Sequence, residues 1–218
     1  GGSGGRYYAD GEDTIHVVPD SRNLPTEFTE GRFPFIVERL GLAVDSGGAG
    51  RYRGGLGYEK HIRMVKDAHF MSIADRSILA CWGVKGGKAG APFQVTIDPG
   101  GPEEREVDAL ADAEPIRAGQ VVRIRTTGGG GWGDPLERPY AEVERDLRWG
   151  KVSFEGARAA YGVVASGTKD EPVIDVAASD ALRGQLRGDR GEDAPFFDRG
   201  PGYAALAGGS AASEYDYV

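Results

Sequence analysis

The sequence is poor in cysteine and in long apolar runs, and each shortage excludes a class of protein. Cys81 is the only cysteine, which excludes an internal disulfide framework and favours a reducing compartment. No apolar run approaches the ~18 residues that a membrane-spanning helix needs, and no signal peptide opens the chain. We therefore expect a cytoplasmic protein with no membrane partner.

Basic residues are in the minority. The chain has 26 Lys and Arg against 34 Asp and Glu, which gives a formal net charge of −8 over 218 residues. A protein that binds nucleic acid needs a basic face to displace counterions from the phosphates. Nucleic acid is therefore not an expected partner.

Patterns for a metal site or an activated nucleophile are also scarce. The three histidines, His16, His61 and His69, form no H-x-x-x-H pair, and Cys81 has no nearby cysteine. No G-x-S-x-G or G-x-x-x-x-G-K-[ST] motif occurs. We expect no complete metal site within this chain, although one ligand donated to a shared site stays open. Any ATP is expected to bind on another chain.

Glycine is the residue in excess, with 36 of 218 positions against a usual ~7%. The glycines follow no G-X-Y period and cluster in residues 1–5, 47–57, 83–90 and 128–133. The last cluster formally contains G-x-G-x-x-G, but Pro135 and Pro139 interrupt the helix that a dinucleotide fingerprint requires. A tight turn that lets backbone approach a neighbour or ligand is the favoured interpretation.

Apolar and polar residues alternate along four short segments between Phe33 and Arg125. These segments are 35–38, 58–64, 93–97 and 122–125. A period of two, ended by Gly, Pro or Asp, predicts half-buried antiparallel strands. We therefore predict a β-rich domain with glycine loops over residues 1–134, with a further short strand at 14–18 and loop over the rest of the first 30 residues.

The period changes after Asp134, and a helical hairpin is predicted over residues 135–164. Pro139 suits a first helical turn, Gly150 and Gly162 suit left-handed stops, and Ser153 is a candidate N-cap. Residues 165–218 are rich in Gly, Ala, Ser and Asp, and we expect an extended acidic arm that lies on a partner. The fold class is mainly β, with antiparallel sheets and a small C-terminal helical hairpin, α+β overall.

Six charged loop residues are candidates for chemistry. Acids that lie beside glycine or arginine usually bind backbone amides in turns, and direct catalysis is the alternative for them. The arginines can bind carboxylate or phosphate through a planar fork, or pair with those same acids. The acids are Asp45, Asp75 and Asp134, and the arginines are Arg51, Arg53 and Arg76.

Residues 45–57, DSGGAGRYRGGLG, resemble a signature of the hydantoinase B/5-oxoprolinase family. Four other blocks resemble that family in the same order: 23–27 with 32–34, 75–76 with 82–87, 127–135 with Arg138, and 146–164. Thr127 departs from the pattern, because glycine follows it where the family usually has proline. The resemblance covers the C-terminal part of the B subunit, and it extends to the B-type subunits of acetone and acetophenone carboxylases.

The resemblance implies a subunit of a hetero-oligomeric ATP-dependent enzyme that is inactive alone. ATP and Mg would bind an A-type partner, and a divalent Zn or Mn would bind the polypeptide that supplies the N-terminal part of the B subunit. Phosphoryl transfer would activate a carbonyl of a small-molecule substrate for cyclic amide hydrolysis. The alternatives are a ketone carboxylase subunit and a non-catalytic structural subunit.

The resemblance also directs attention to the glycine loops of this chain as binding or shaping elements. Fixed backbone amides in such loops can meet developing oxyanion charge. The candidate binding glycines are Gly47, Gly48, Gly54, Gly55, Gly128, Gly129, Gly130 and Gly131.

Overall fold

The structure is a computed structural model that describes residues 1–15, 23–190 and 195–206. In chain order the strands are β1 Phe35–Leu42, β2 Tyr58–Met64, β3 Ala68–Ile73, β4 Gly83–Val84, β5 Gln94–Ile97, β6 Arg105–Val107, β7 Leu110–Ile116, β8 Val121–Arg125, β9 Val164–Gly167, β10 Pro172–Asp175 and β11 Phe197–Asp198. The helices are α1 Thr26–Arg32, α2 Tyr140–Arg148, α3 Phe154–Tyr161, α4 Val176–Arg190 and α5 Pro201–Leu206, with a 3-10 turn at Pro135–Glu137. This arrangement confirms the predicted α+β class.

The main sheet has five antiparallel strands in the order β1-β2-β8-β5-β6. Four of them coincide with the four alternating segments of the sequence. Val95, Ile97 and Val122 are almost fully buried against Met64 and Ile116, so one face of the sheet carries an apolar core. The strand predicted at 14–18 lies mostly outside the described residues, as does His16.

One short helix differs from the predicted loop. Helix α1 follows Pro25, carries Glu27 in its first turn and Arg32 in its last, and ends at Phe33. Those charges suit the positive and negative ends of the helix dipole. Only Thr29 of this helix is buried, so α1 has no apolar period that the sequence could reveal.

The two helices predicted after Asp134 are present. The Ser153 hydroxyl accepts a hydrogen bond from the Gly156 amide at 2.9 Å, and Gly162 ends α3 at φ 60°. Gly150 follows α2 at φ 64°, and Pro139 lies at the N-cap position, one residue before the predicted place. A second apolar core forms between these helices, from Val143, Leu147, Val152, Ala157, Tyr161 and Val163.

Residues 164–190 differ from the predicted extended arm. Strands β9 and β10 form an antiparallel hairpin, and α4 continues for 15 residues. The buried residues of α4 are polar: the Ser179 hydroxyl accepts from the Val164 amide at 2.9 Å, and Arg183 donates to the carbonyls of Tyr161 and Arg138 at 2.9 and 2.7 Å. Ala178, Leu182 and Leu186 recur every four residues and are half-buried beside these polar anchors, so a helical period was present that the prediction of an extended arm overlooked.

Residues 195–206 fold back onto this chain. Strand β11 pairs with β4, and the Arg199 guanidinium lies 4.8 Å from the Trp82 ring and 4.7 Å from the Tyr203 ring. Phe197 and Tyr203 therefore pack against Trp82 and Arg199 of this same chain, which differs from the predicted arm on a partner. Residues 207–218 lie outside the described residues. Among the helices described, none is long and apolar enough to cross a membrane.

Candidate functional site

The four glycine clusters come together in one place. We call residues 1–6, 46–57, 82–91 and 127–133 the glycine bundle, in which segment 127–133 is bonded to each of the other three. Backbone amides of Gly5 and Gly48 donate to the carbonyls of Gly130 and Gly129, both at 2.8 Å. The amide of Val84 donates to the carbonyl of Gly131 at 3.0 Å. Backbone hydrogen bonds therefore join each of these segments to the central one.

Glycine is required here because the backbones lie too close for a Cβ atom. A Cβ on Gly54 would overlap the carbonyl oxygen of Gly129, and a Cβ on Gly130 would overlap that of Trp82. Neither obstacle is the end of a flexible side chain, so neither can move aside alone. Of the eight candidate binding glycines, seven are buried and Gly47 is half-buried. Their part in ligand binding stays a prediction, because the backbone groups of most of them hydrogen-bond to other segments of the bundle.

A buried cluster of charges lies beside the bundle. We call it the ion cluster: Asp10, Asp13, Arg53, Arg138, Asp146 and Lys151. Both terminal nitrogens of Arg138 donate to Asp10 at 2.7 Å, and Nη2 also donates to Asp146 at 2.7 Å. Arg53 contacts Asp13 and Asp146, each at 3.4 Å, and Lys151 contacts Asp13 at 2.8 Å. The cluster therefore ties the first 13 residues to the bundle and to α2.

The ion cluster favours the charged forms of Asp10 and Asp13. Arg53, Arg138 and Asp146 are each 1% exposed. Burial alone would raise the pKa of Asp10, but hydrogen bonds and charge from Arg138, with the Arg53 amide, outweigh it and lower that pKa. For Asp13 burial is likewise outweighed, chiefly by Lys151 and the Leu56 amide, and its pKa is also lowered. Breaking a buried pair leaves an uncompensated charge, so these contacts are structural constraints.

Three of the six charged candidates are committed to holding the fold. Arg53 belongs to the ion cluster. Asp45 accepts from the Ser153 amide at 2.9 Å and so links the bundle to α3. Asp134 caps the 3-10 turn through the Leu136 amide at 2.9 Å and pairs with Arg190 at 2.7 Å. Burial opposes ionisation of Asp134, but Arg190 and that amide lower its pKa.

The other three candidates are exposed. Arg51 is 3.8 Å from Glu137 and lies over the Tyr52 ring. Asp75 accepts from the Arg76 amide at 2.7 Å, which stabilises a turn with Arg76 at φ 66°. One interpretation predicted that the three arginines pair with the three candidate acids, and this is wrong for Arg51 and Arg53. Their partners are other carboxylates. No contact assigns a catalytic role to any of the six.

The sequence indicates no role for Asp10, Asp13 or Asp146, which the ion cluster brings together. One signal was available for Asp146: it lies on the apolar face of α2 between the buried Val143 and Leu147. A charge in an apolar stripe must be paired if it is to be buried. Its closer partner, Arg138, is eight residues away, but Arg53 is 93 residues away, so no local pattern could supply the whole cluster.

Two cavities open beside these elements. One, of about 440 Å³, lies between Asp10, Arg51 and the start of α2, and Arg138 and Arg145 form part of its wall. The other, of about 650 Å³, lies beside Asp75 and Arg76. Within the three described ranges, no group of three or more His, Cys, Asp and Glu residues is arranged to hold a metal ion.

The fold and site define an α+β protein built on a glycine bundle that an ion cluster braces. The family model for hydantoinase B/oxoprolinase matches residues 1–135. The chain belongs to the hydantoinase B/oxoprolinase family. The resemblance seen in the sequence motifs is thereby confirmed.

The chain is similar to two Pseudomonas proteins over most of its length. It is 37% identical over 169 residues to the beta chain of the caprolactamase of Pseudomonas jessenii, covering 72% of this chain and 27% of that protein. It is 32% identical over 187 residues to a Pseudomonas protein provisionally named as the B component of a D-/L-hydantoinase, covering 84% and 31%. The chain thus spans less than a third of these relatives.

Solved structures share the fold. The ATP-dependent caprolactamase of Pseudomonas jessenii has a TM-score of 0.67 at 30% identity, over 84% of this chain and 32% of that one. A nucleotide-free acetone carboxylase has a TM-score of 0.66 at 23% identity, over 84% and 29%. The latter similarity shows the fold alone.

Proposed function

We propose that this chain is a subunit of a hetero-oligomeric ATP-dependent enzyme that hydrolyses a cyclic amide. Its family membership and its 37% identity to the caprolactamase beta chain support this reaction class. The observation that carries the proposal is the match itself, which runs through the glycine bundle and reaches Pro135. The chain covers under a third of these relatives, so the activity of the whole enzyme belongs to this proposal and not to the match alone.

The chemistry requires an activated carbonyl. Phosphoryl transfer makes the oxygen of an unreactive amide a good leaving group, and the transfer itself needs bound ATP and Mg. We assign ATP and Mg to an A-type partner, and a divalent Zn or Mn to the polypeptide that completes the B subunit. The described residues offer no complete metal site, so they do not fit a resident metal held by this chain alone.

The role of this chain in that enzyme is to support and shape a shared active site. Arg53 and Asp134 are held by structural ion pairs, and the glycine bundle is closed by its own backbone. Arg51 remains free enough to contact a ligand, because its ion pair with Glu137 is exposed and long. Such a pair contributes at most about 1 kcal/mol.

A ketone carboxylase subunit is the second candidate. The match to the alpha chain of the acetone carboxylase of Xanthobacter autotrophicus extends over 87% of this chain, at 27% identity. That coverage is greater than the 72% of the caprolactamase beta chain match. Both reactions begin with phosphorylation of a carbonyl or enol oxygen, so a chain that shapes the active site could serve either reaction.

One assay separates these reactions. The chain is purified together with its A-type partner and the polypeptide that completes the B subunit, and ATP hydrolysis is measured. We expect stimulation by caprolactam, hydantoin or 5-oxoproline. Stimulation only by acetone or acetophenone with bicarbonate would move the protein to the carboxylases, and no stimulation by either set would contradict the proposal.

Arg51 tests whether the chain is only structural. Arg51→Ala is compared with Arg148→Ala, which also removes an exposed arginine with a single carboxylate partner. Assembly of both variants should be normal. Loss of turnover in Arg51→Ala alone indicates a direct contribution to the site, whereas unchanged turnover in both supports a non-catalytic structural subunit.

A further inference from the structure

The ribbon of β3 and β7 ends in large apolar side chains that nothing in the described chain covers. Ile73 and Leu110 are cross-strand partners and are 84% and 73% exposed. Ile78 and Leu206 nearby are 55% and 61% exposed. All but Ile73 line the cavity of about 650 Å³, which we call the ribbon groove. A monomer seldom leaves several large apolar residues exposed together, and such patches mark interaction sites.

The charged side chains that line the ribbon groove are mainly acidic. Asp75, Glu106 and Asp108 line it and are exposed, against the single cation Arg76. Asp112 of β7 is exposed, two residues after Leu110 in the sequence. A second copy of this chain would bring carboxylate against carboxylate, in a protein whose net charge is already −8. A partner with lysine or arginine around apolar residues complements the groove instead.

We propose that the ribbon groove docks a basic, apolar segment of the polypeptide that carries the remainder of the B subunit. This inference rests on the proposed function, which requires that polypeptide. The match covers 27% and 31% of two Pseudomonas relatives, and the region of a B-type subunit outside that match is the partner that we assign to this surface. The ribbon groove offers exposed apolar area and an unbalanced charge in the same place.

The first test uses a defined probe that needs no enzyme complex. A synthetic peptide of alternating leucine and lysine is titrated into the full chain, with a leucine and glutamate peptide as its control. The lysine peptide should bind and perturb the amide resonances of residues 106–110, and the glutamate peptide should not. The affinity should fall as ionic strength rises, because exposed charges are screened.

Variants localise the binding. The double variant Ile73→Lys/Leu110→Lys should lower the affinity for the lysine peptide at least tenfold, because large side chains buried at the centre of an interface contribute most of the binding energy. Val173→Lys is the matched control, since Val173 is 60% exposed on the separate β9–β10 hairpin. Equal weakening by the control, or none by the double variant, would overturn the inference. Thermal midpoints should be unchanged, because the substituted side chains are exposed.

The same variants are then tested in the complex with the B-completing polypeptide. The double variant should lose co-elution with it, and Val173→Lys should keep it. If the wild-type complex forms and both variants also form it, the ribbon groove is not the docking site although the proposed function stands. If the peptide binds in the groove but no wild-type complex hydrolyses ATP, the proposed function fails instead.

Discussion

The five-stranded sheet and the glycine bundle are two parts of one chain that achieve close packing by different means. The sheet closes over apolar side chains such as Val95, Ile97 and Val122, all at most 2% exposed. The bundle closes by backbone hydrogen bonds, and the neighbouring ion cluster fixes its ends. Apolar cores tolerate volume-conserving changes. A backbone contact that excludes even a methyl group has no such tolerance, so the two parts should respond differently to small substitutions.

The largest effect is expected for Gly130→Ala. The added methyl group meets the Trp82 carbonyl, so two bundle segments must separate. We expect loss of the cooperative thermal transition and of the monomer peak in size-exclusion chromatography. Gly184→Ala is the control, because a Cβ there meets nothing within 4 Å in α4, and it should stabilise by about 1 kcal/mol. A Gly130→Ala protein that melts like wild type would remove the distinction between the two parts.

Arg138→Met should have the next largest effect. It leaves Asp10 and Asp146 without their shared cation, and breaking a buried pair from one side costs about 3–5 kcal/mol. Urea unfolding followed by circular dichroism measures the change. Arg148→Met removes an exposed pair and should cost less than about 1 kcal/mol. Equal costs for the two variants would show that the ion cluster does not brace the bundle.

A conservative change in the sheet should cost less. Ile97→Val removes one buried methylene and is expected to lower the free energy of unfolding by about 0.5–1.5 kcal/mol. The same urea experiment checks it. A cost above that of Arg138→Met would reverse the comparison between apolar core and ion cluster.

The smallest expected effect is that of a change in pH near neutrality on the free energy of unfolding. The pKa values of Asp10 and Asp13 are lowered in the folded chain, so their contribution is complete above the unfolded value of about 3.9. It is lost as the pH falls below that value through the folded pKa values. The contribution of these two carboxylates should therefore be constant from pH 6 to 8, and stability should decrease below pH 4. Arg138→Met should show a shallower decrease, and an unchanged slope would count against the ion cluster.

The sequence predicts what local patterns control. The strands of the main sheet follow from alternation at residues such as Val95 and Ile97, and the end of α3 follows from Gly162. The ion cluster could not be predicted, because Asp10 and Arg138 are 128 residues apart and no spacing rule joins them. Glycine clustering indicated close backbone approach, but the pairing of Gly48 with Gly129 depends on the whole fold. Helix α4 contradicts the predicted extended arm: the Gly-, Ala-, Ser- and Asp-rich composition of residues 165–218 obscured the repeat of Ala178, Leu182 and Leu186 every four residues.

The central claim is that the glycine-rich segments form a rigid body rather than mobile loops. Native-state hydrogen exchange tests it most directly, at the amides of Gly48, Gly129 and Gly131. We predict that these amides exchange as slowly as those of Val95 and Ile124 in the main sheet, through global unfolding. Exchange as fast as that of the exposed turn at Glu103 and Glu104 would contradict the account.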